Sequence, residues 1–355
     1  MLVRRHFQLH MNSKTMFFRT LKIAVFLSIA LVLVSCSSTN KTPITSRSKV
    51  IEHNALSGAE GTNGPILVVK IDDTPEAHPQ IGLDKADVVY IEEVEGGLTR
   101  LAAVFSSEIP ARIGPVRSAR ISDIDLLAQF GHVAFAFSGA QSKLFPVIDA
   151  ADLENLGAQH ESAQIYTRDS SRNAPVNMVL QAELLMSKLR EQNTPIATAR
   201  SLGWSFGASP TGGRAVTSVV MQWPANSYSA SWSEVESRWL LNHSALPDMA
   251  DSGTQLGAST LVIQLVAITA SQYHDKGGGV TPFSATVGSG SGYILRDGKV
   301  FDAHWIRPNP QSGTTWTLAD GSHINFAPGQ IWVALTDSAP KFTYPIESAS
   351  PSPTK

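Results

Sequence analysis

Residues 86–107 read ADVVYIEEVEGGLTRLAAVFSS. Two β-rich runs flank Gly96-Gly97, and a Gly-Gly pair in that setting marks a hairpin because both residues tolerate positive φ. A two-residue turn sets the register by counting outward. Glu95 then faces Leu98, Val94 faces Thr99, and Glu93 faces Arg100. Directly opposed side chains share a face. Glu93 and Arg100 are therefore expected to form a cross-strand ion pair, with Glu95 on the same face two residues along.

Outward from the hairpin the pattern stays mixed. Upstream, PILVVKIDD supplies a short apolar strand over 66–71, with Asp72 and Asp73 at its exit. Downstream, IGPVRSAR (113–120) presents Arg117 and Arg120 on a Gly-Pro turn just before ISDIDLLAQF, where Ser122 and Asp125 fit a capping box. HVAFAFSG (132–139) reads as another strand, and a second helix is expected over 141–151. QIYTRDSSRNAPVN (164–177) is a polar loop carrying Arg168, Asp169 and Arg172, and MVLQAELLMSKLREQ (178–192) has amphipathic helical spacing. Strands interleaved with helices, plus a hairpin, predict an α/β (α+β) domain with a mixed sheet over 65–200. The loop-like 195–213 segment marks a boundary, and all seven tryptophans follow it or lie within it, from Trp204 on. Short β-rich runs separated by turn signals then predict a mostly antiparallel β domain over 210–337. Exposed tryptophans there could stack on sugars; alternating spacing favours packing instead.

The N-terminus specifies an address. Arg4, Arg5, Lys14, Arg19 and Lys22 precede AVFLSIALVLV, an eleven-residue apolar run from Ala24 to Val34. That length fits a signal h-region and is too short for a permanent membrane span. It ends in LVSC, a lipobox-like sequence whose Cys36 is the sole cysteine of the chain. Residues 1–35 are expected to be a lipoprotein signal peptide. Cys36 is the expected site of lipidation, with palmitate-class acyl chains, holding the protein on the extracytoplasmic face of the cell membrane. Polar residues 36–64 read as a flexible stalk and 338–355 as a disordered tail. Residues 1–35 carry five Lys/Arg and no acid, so 23 basic residues remain against 30 acidic ones. A net charge of about −7 argues against a nucleic-acid partner.

Most enzyme templates are missing. There is no nucleophile elbow and no phosphate loop. Histidines are scattered in sequence and read as surface or packed residues, so neither a metal nor a cofactor is expected. What remains is a charge cluster at strand ends and loops: Asp72, Glu93, Glu95, Arg100, Arg117, Arg120, Arg168, Asp169 and Arg172. Such ends commonly bind ligands in mixed sheets, and paired guanidinium groups suit a carboxylate or phosphate. The same residues could instead close into an internal paired network.

Several stretches together resemble one family. KIDDTPEAHPQIGLDKADVVYIEEVEGGLTRLAAVF, IGPVRSARISDIDLLAQF and YTRDSSRNAPVN, followed by GSGYILRDGKVFDAHW and FAPGQIWVAL, are similar to the YerB-like lipoproteins, a family of unknown function with a companion C-terminal domain. The resemblance implies a bacterial extracytoplasmic lipoprotein linked to peptidoglycan synthesis, with wall-synthesis proteins or wall polymer as partners. One departure is Pro175-Val176-Asn177, where the family often has Pro-His-Asn. The expected function is binding of a partner or wall-related ligand in envelope assembly. The alternatives are a hydrolase or transferase acting on envelope glycan or phosphate-containing material, with Glu93 or Glu95 as acid or base, and a structural spacer.

Overall fold

The structure, a computed structural model, describes residues 51–346. The expected signal peptide, Cys36, most of the expected stalk and the end of the expected tail lie outside the described residues. The first half of the chain forms β1 (Leu67–Asp72), β2 (Val88–Glu93), β3 (Thr99–Phe105), β4 (Val133–Phe137) and β5 (Leu153–Gly157). The helices α1 (Ser122–Ala128), α2 (Phe145–Ala150) and α3 (Ala182–Glu191) belong to the same half. The second half adds β6 (Ser218–Trp223), β7 (Asn226–Ser233), β8 (Arg238–His243), β9 (Thr260–Leu265) and β10 (Ile268–His274). It continues with β11 (Val280–Ser284), β12 (Gly288–Arg296), β13 (Lys299–Arg307) and β14 (Ile331–Thr336).

Both halves build one sheet, in the order β13-β12-β9-β14-β2-β3-β1-β4-β5, with short strands at its β13 edge. The first-half part is mixed: β3 runs antiparallel to β1 and β2, while β4 runs parallel to β1 and β5. The second half is mostly antiparallel, as in β9-β12, β12-β13 and the smaller sheet of β6, β7 and β8. The seam between the halves is β14, which lies parallel to β2 on one side and β9 on the other. The two-part layout expected from the sequence is thus joined through a common sheet.

Strand period places alternate side chains on opposite faces, and both faces are covered. Val69, Ile71, Val89, Leu101, Ile263 and Trp332 face one core, shared with Met221, Tyr228, Trp239 and Leu185. Val68, Tyr90, Val104, Phe135 and Val333 face the other, against Leu126, Ile148, Trp204 and Trp316. Six tryptophans are buried and Trp232 is half-buried against Trp239, so packing explains them.

Several local expectations change. The hairpin turn has three residues, Glu95 to Gly97, and Val94 N–H donates to the Leu98 carbonyl at 2.8 Å. The register therefore moves by one: Glu92 opposes Arg100 and Glu93 opposes Thr99. A one-residue slip changes which face each side chain occupies, so the Glu93–Arg100 pair does not form. Gly97 suits this turn, because its φ is +72° and a Cβ would lie 2.5 Å from Pro224. Ser122 does not cap α1; its hydroxyl accepts the Ser284 N–H at 2.9 Å, and Asp123 accepts the Arg120 N–H at 2.6 Å. The expected helix over 178–192 begins only at Ala182, because Met178–Gln181 is drawn into strand pairing with 166–168. α2 occupies only Phe145–Ala150 of the expected 141–151.

Residues 51–64, expected in the stalk, pack onto the fold. Leu56 is fully buried, and the Asn54 side chain caps the N–H groups of Leu56 and Ser57. Within the expected tail, Lys341–Thr343 pairs with β6.

Candidate functional site

The segment 114–120 lies across the carboxyl ends of the parallel strands β1 and β4. Arg117 N–H donates to the Lys70 carbonyl at 2.8 Å, and Ser138 N–H donates to the Arg117 carbonyl at 2.9 Å. The carboxyl ends of parallel strands are where open α/β sheets bind ligands. Two cavities open here, of about 650 and 600 Å³, and Arg117 lines both.

The larger cavity gathers Glu95, Arg100, Arg117 and Arg120 from the first half with His274, Asp275, Lys276 and Thr281 from the β10–β11 hairpin. Arg120 is clamped: Nε and Nη2 donate to Glu95 Oε2 at 2.9 and 2.6 Å, and Nη1 donates to the Ala119 carbonyl at 3.0 Å. Thr281 donates to Glu95 Oε1. Although burial opposes its charge, the Arg120 and Thr281 contacts hold the Glu95 carboxyl below the ordinary value. Asp275 is occupied by the Gly277 and Gly279 N–H groups at 2.9 and 2.8 Å. Arg117 pairs with Asp72. Arg100 has no carboxylate partner among the described residues and donates only to the Ser118 carbonyl, at 3.2 Å. Burial first, then the charges of Arg120 and Arg117, push Arg100 down to about 9.

The smaller cavity is lined by Asp72, His78, Arg117, Arg172 and Val176 among others. Arg172 donates to the Ala77 carbonyl at 2.8 Å and to the Pro79 carbonyl. Val176 stands where the resemblance places a histidine, so that imidazole is absent from this wall. Of the nine cluster residues, Glu95, Arg100, Arg117 and Arg120 meet in one cavity, and Asp72 and Arg172 meet Arg117 in the other. Exposed Arg168 bonds Asn177 outside both; Asp169 lines neither, though it bonds Ser171 and lies 3.8 Å from Arg172 at the rim of the smaller one. Glu93 also lies apart; burial first, then the Asp337 charge, raises its carboxyl.

Two buried constellations escaped the sequence reading. Lys70 Nζ donates to Glu92 Oε1 at 2.6 Å and Asp123 Oδ1 at 2.7 Å, all three side chains fully buried. Burial and then the Asp123 charge push the Glu92 carboxyl up to about 8, against the pull of Lys70. The second group joins the two halves. His78 Nδ1 lies 2.9 Å from Asp248 Oδ1, its Nε2 lies 3.5 Å from Asp73 Oδ1, and its ring stacks on His243 at 4.3 Å. Tyr228 and Thr99 donate to Asp73, and Asn226 does so at 3.3 Å. Although burial opposes its charge, Asp248 and Asp73 raise His78 to about 9, whereas burial lowers His243. Two of the histidines read as scattered thus converge. His78 and Asp248 are 170 residues apart, and neither period nor spacing signals such a meeting. The one local cue was the doubled acid at the exit of β1.

Fold and cleft define a two-part α/β–β protein with an arginine-walled crevice at its strand ends. The chain belongs to the DUF3048 family: the N-terminal domain of this protein family of unknown function matches residues 54–195, and the C-terminal domain matches 219–333. YerB of Bacillus subtilis (strain 168), whose name provisionally classes it as a lipoprotein, is 23% identical over 320 residues, 86% of this chain and 91% of that protein. The crystal structure of Bacillus subtilis YerB superposes with a TM-score of 0.71 at 18% identity, covering 82% of this chain and 99% of that one, which establishes the shared fold.

Proposed function

We propose that this protein is a lipoprotein, anchored through Cys36 to the extracytoplasmic face of the membrane. There it binds an anionic envelope ligand or partner in the cleft around Arg117 and so assists or regulates envelope assembly. The lipobox and the similarity to YerB support the anchoring. The observation that carries the binding role is Arg100. Three guanidinium groups share one cavity wall with two carboxylate partners between them, Asp72 for Arg117 and Glu95 for Arg120. An anion entering that cavity would supply the missing countercharge through charge-assisted hydrogen bonds. Phosphate and carboxylate groups of wall polymers and stem peptides have this chemistry. Hydrolysis is less well supported, because both Glu95 oxygens are engaged and Glu93 lies outside the cavity.

The test is co-sedimentation of the purified chain with wall sacculi, with and without their phosphate-bearing polymers. Wild type is expected to sediment with intact sacculi. Arg117→Ala should weaken the association about tenfold or more, the scale of one hydrogen-bonded charge. Arg168→Ala, outside both cavities, should sediment as wild type does. Equal sedimentation of wild type and Arg117→Ala would overturn the reading.

A further inference from the structure

We propose that Asp73, His78 and His243 form a binding site for a divalent transition metal of the zinc class, with Asp248 orienting His78 from behind. The site is separate from the anion cleft and borders the smaller cavity through His78.

The donor set comes first. Two imidazoles and a carboxylate are the nitrogen and oxygen ligands that zinc takes, at about 2.0–2.2 Å. One donor atom from each of the three residues lies within 4.8 Å of the others. A tetrahedral ion with such bonds needs donors roughly 3.3–3.5 Å apart. The His78 Nε2 to Asp73 Oδ1 separation is already 3.5 Å, and the His243 ring, stacked on His78 at 4.3 Å, turns out of the stack on binding to aim its nitrogen at the same point.

Next is the support around the donors. Metal-bound histidine nearly always gives its other ring nitrogen to a carboxylate, which fixes tautomer and orientation. His78 does so, with Nδ1 at 2.9 Å from Asp248. Asp73 is held in turn by Thr99, Tyr228 and Asn226. A carboxylate has about four lone-pair sites, so three are filled and the remaining one is available on the His78 side.

The unpartnered atoms point the same way. His243 is 6% exposed, and its Nε2 is buried without a hydrogen-bond partner. Gln80 Oε1 is buried and unpartnered as well, while Gln80 Nε2 lies 3.2 Å from His78 Nε2. Turning that amide brings its oxygen to the ring as a fourth donor. Buried polar atoms are ordinarily satisfied, and one cation at this point satisfies several together.

The test is titration of the chelator-stripped full chain, in detergent, with Co²⁺ and Zn²⁺. Wild type is expected to bind one equivalent and to show the visible cobalt bands of a low-coordinate nitrogen–oxygen site. His78→Gln and His243→Gln should each weaken binding at least 100-fold. Asp248→Asn should weaken it 10- to 100-fold, the usual scale for an orienting partner. His132→Gln, beside Asp152 and Glu154 on the surface, should change nothing. His243→Cys should add a thiolate-to-cobalt charge-transfer band, which requires residue 243 to touch the ion. The proposal is overturned if wild type holds no more metal than His78→Gln/His243→Gln together, or if folded His243→Cys shows no such band. In that case His78 is an imidazolium clasped between two aspartates and needs no metal.

Discussion

Lys70→Met is expected to lower the free energy of unfolding by about 3–5 kcal/mol, the usual cost of removing one partner from a buried ionic group. Methionine fills the same space, so the loss reports charge rather than volume. Without the ammonium, Glu92 and Asp123 face each other with no cation, in a site with no exposed side-chain surface. The pH dependence has a definite sign. The folded Glu92 carboxyl, pushed up to about 8 mainly by burial, binds its proton more tightly than in the unfolded chain. Its contribution is therefore full below the ordinary carboxylate range and is lost as pH rises through about 8. Removing Lys70 raises that carboxyl further, so the defect should be larger at pH 9, above the wild-type value, than at pH 5. Glu92→Gln added to Lys70→Met should recover part of the loss at the higher pH, because glutamine stays uncharged beside Asp123 without having to hold a proton. Urea unfolding of the chain lacking its first 36 residues, at both pH values, measures all of this. A pH-independent defect under 1 kcal/mol would show that the three groups are not coupled through charge.

The same triad marks a limit of sequence reading. β1, β2 and β3 were legible because apolar runs of β-branched residues bounded by turn signals have few other solutions. Lys70 sits inside such a run, and one lysine among valines and isoleucines does not announce two buried acids as its partners. The hairpin was legible as a hairpin, yet its register was not. Gly96-Gly97 allows a two-residue turn as readily as a three-residue one, and nothing within 86–107 chooses between them. That one-residue change dissolved the Glu93–Arg100 pair and left Arg100 without an acid. The strand-end location of Arg117 and Arg120 was readable from IGPVRSAR itself. The histidine pair was not, because it needs β8 of the second half folded against the exit of β1.

That dependence of one half on the other carries the second large prediction. Trp332→Ala is expected to cost about 3–5 kcal/mol, and the loss should appear equally in both halves. Trp332 is fully buried on β14, between β2 and β9, with its Nε1 donating to Gln330 Oε1 at 2.9 Å. Gln330 in turn donates to the Leu83 and Ala86 carbonyls of the first half at 2.9 and 2.8 Å. The probes separate naturally. Every tryptophan lies at or beyond residue 204, so indole fluorescence arises from second-half side chains, while amide exchange of β1 and β3 reports the first half. Two independent modules would give two transitions, with only the fluorescence curve shifted by the substitution. A shared sheet gives coincident transitions that move together, since loss of β14 exposes the edge of β2 as well as that of β9. By the same reasoning residues 51–200 expressed alone should show no cooperative unfolding. Their β2 would have lost its neighbour, and the face carrying Val69, Ile71 and Leu101 would have lost the β6–β8 sheet that covers it. A stable, cooperatively melting fragment would mean that β14 only rests against a finished domain.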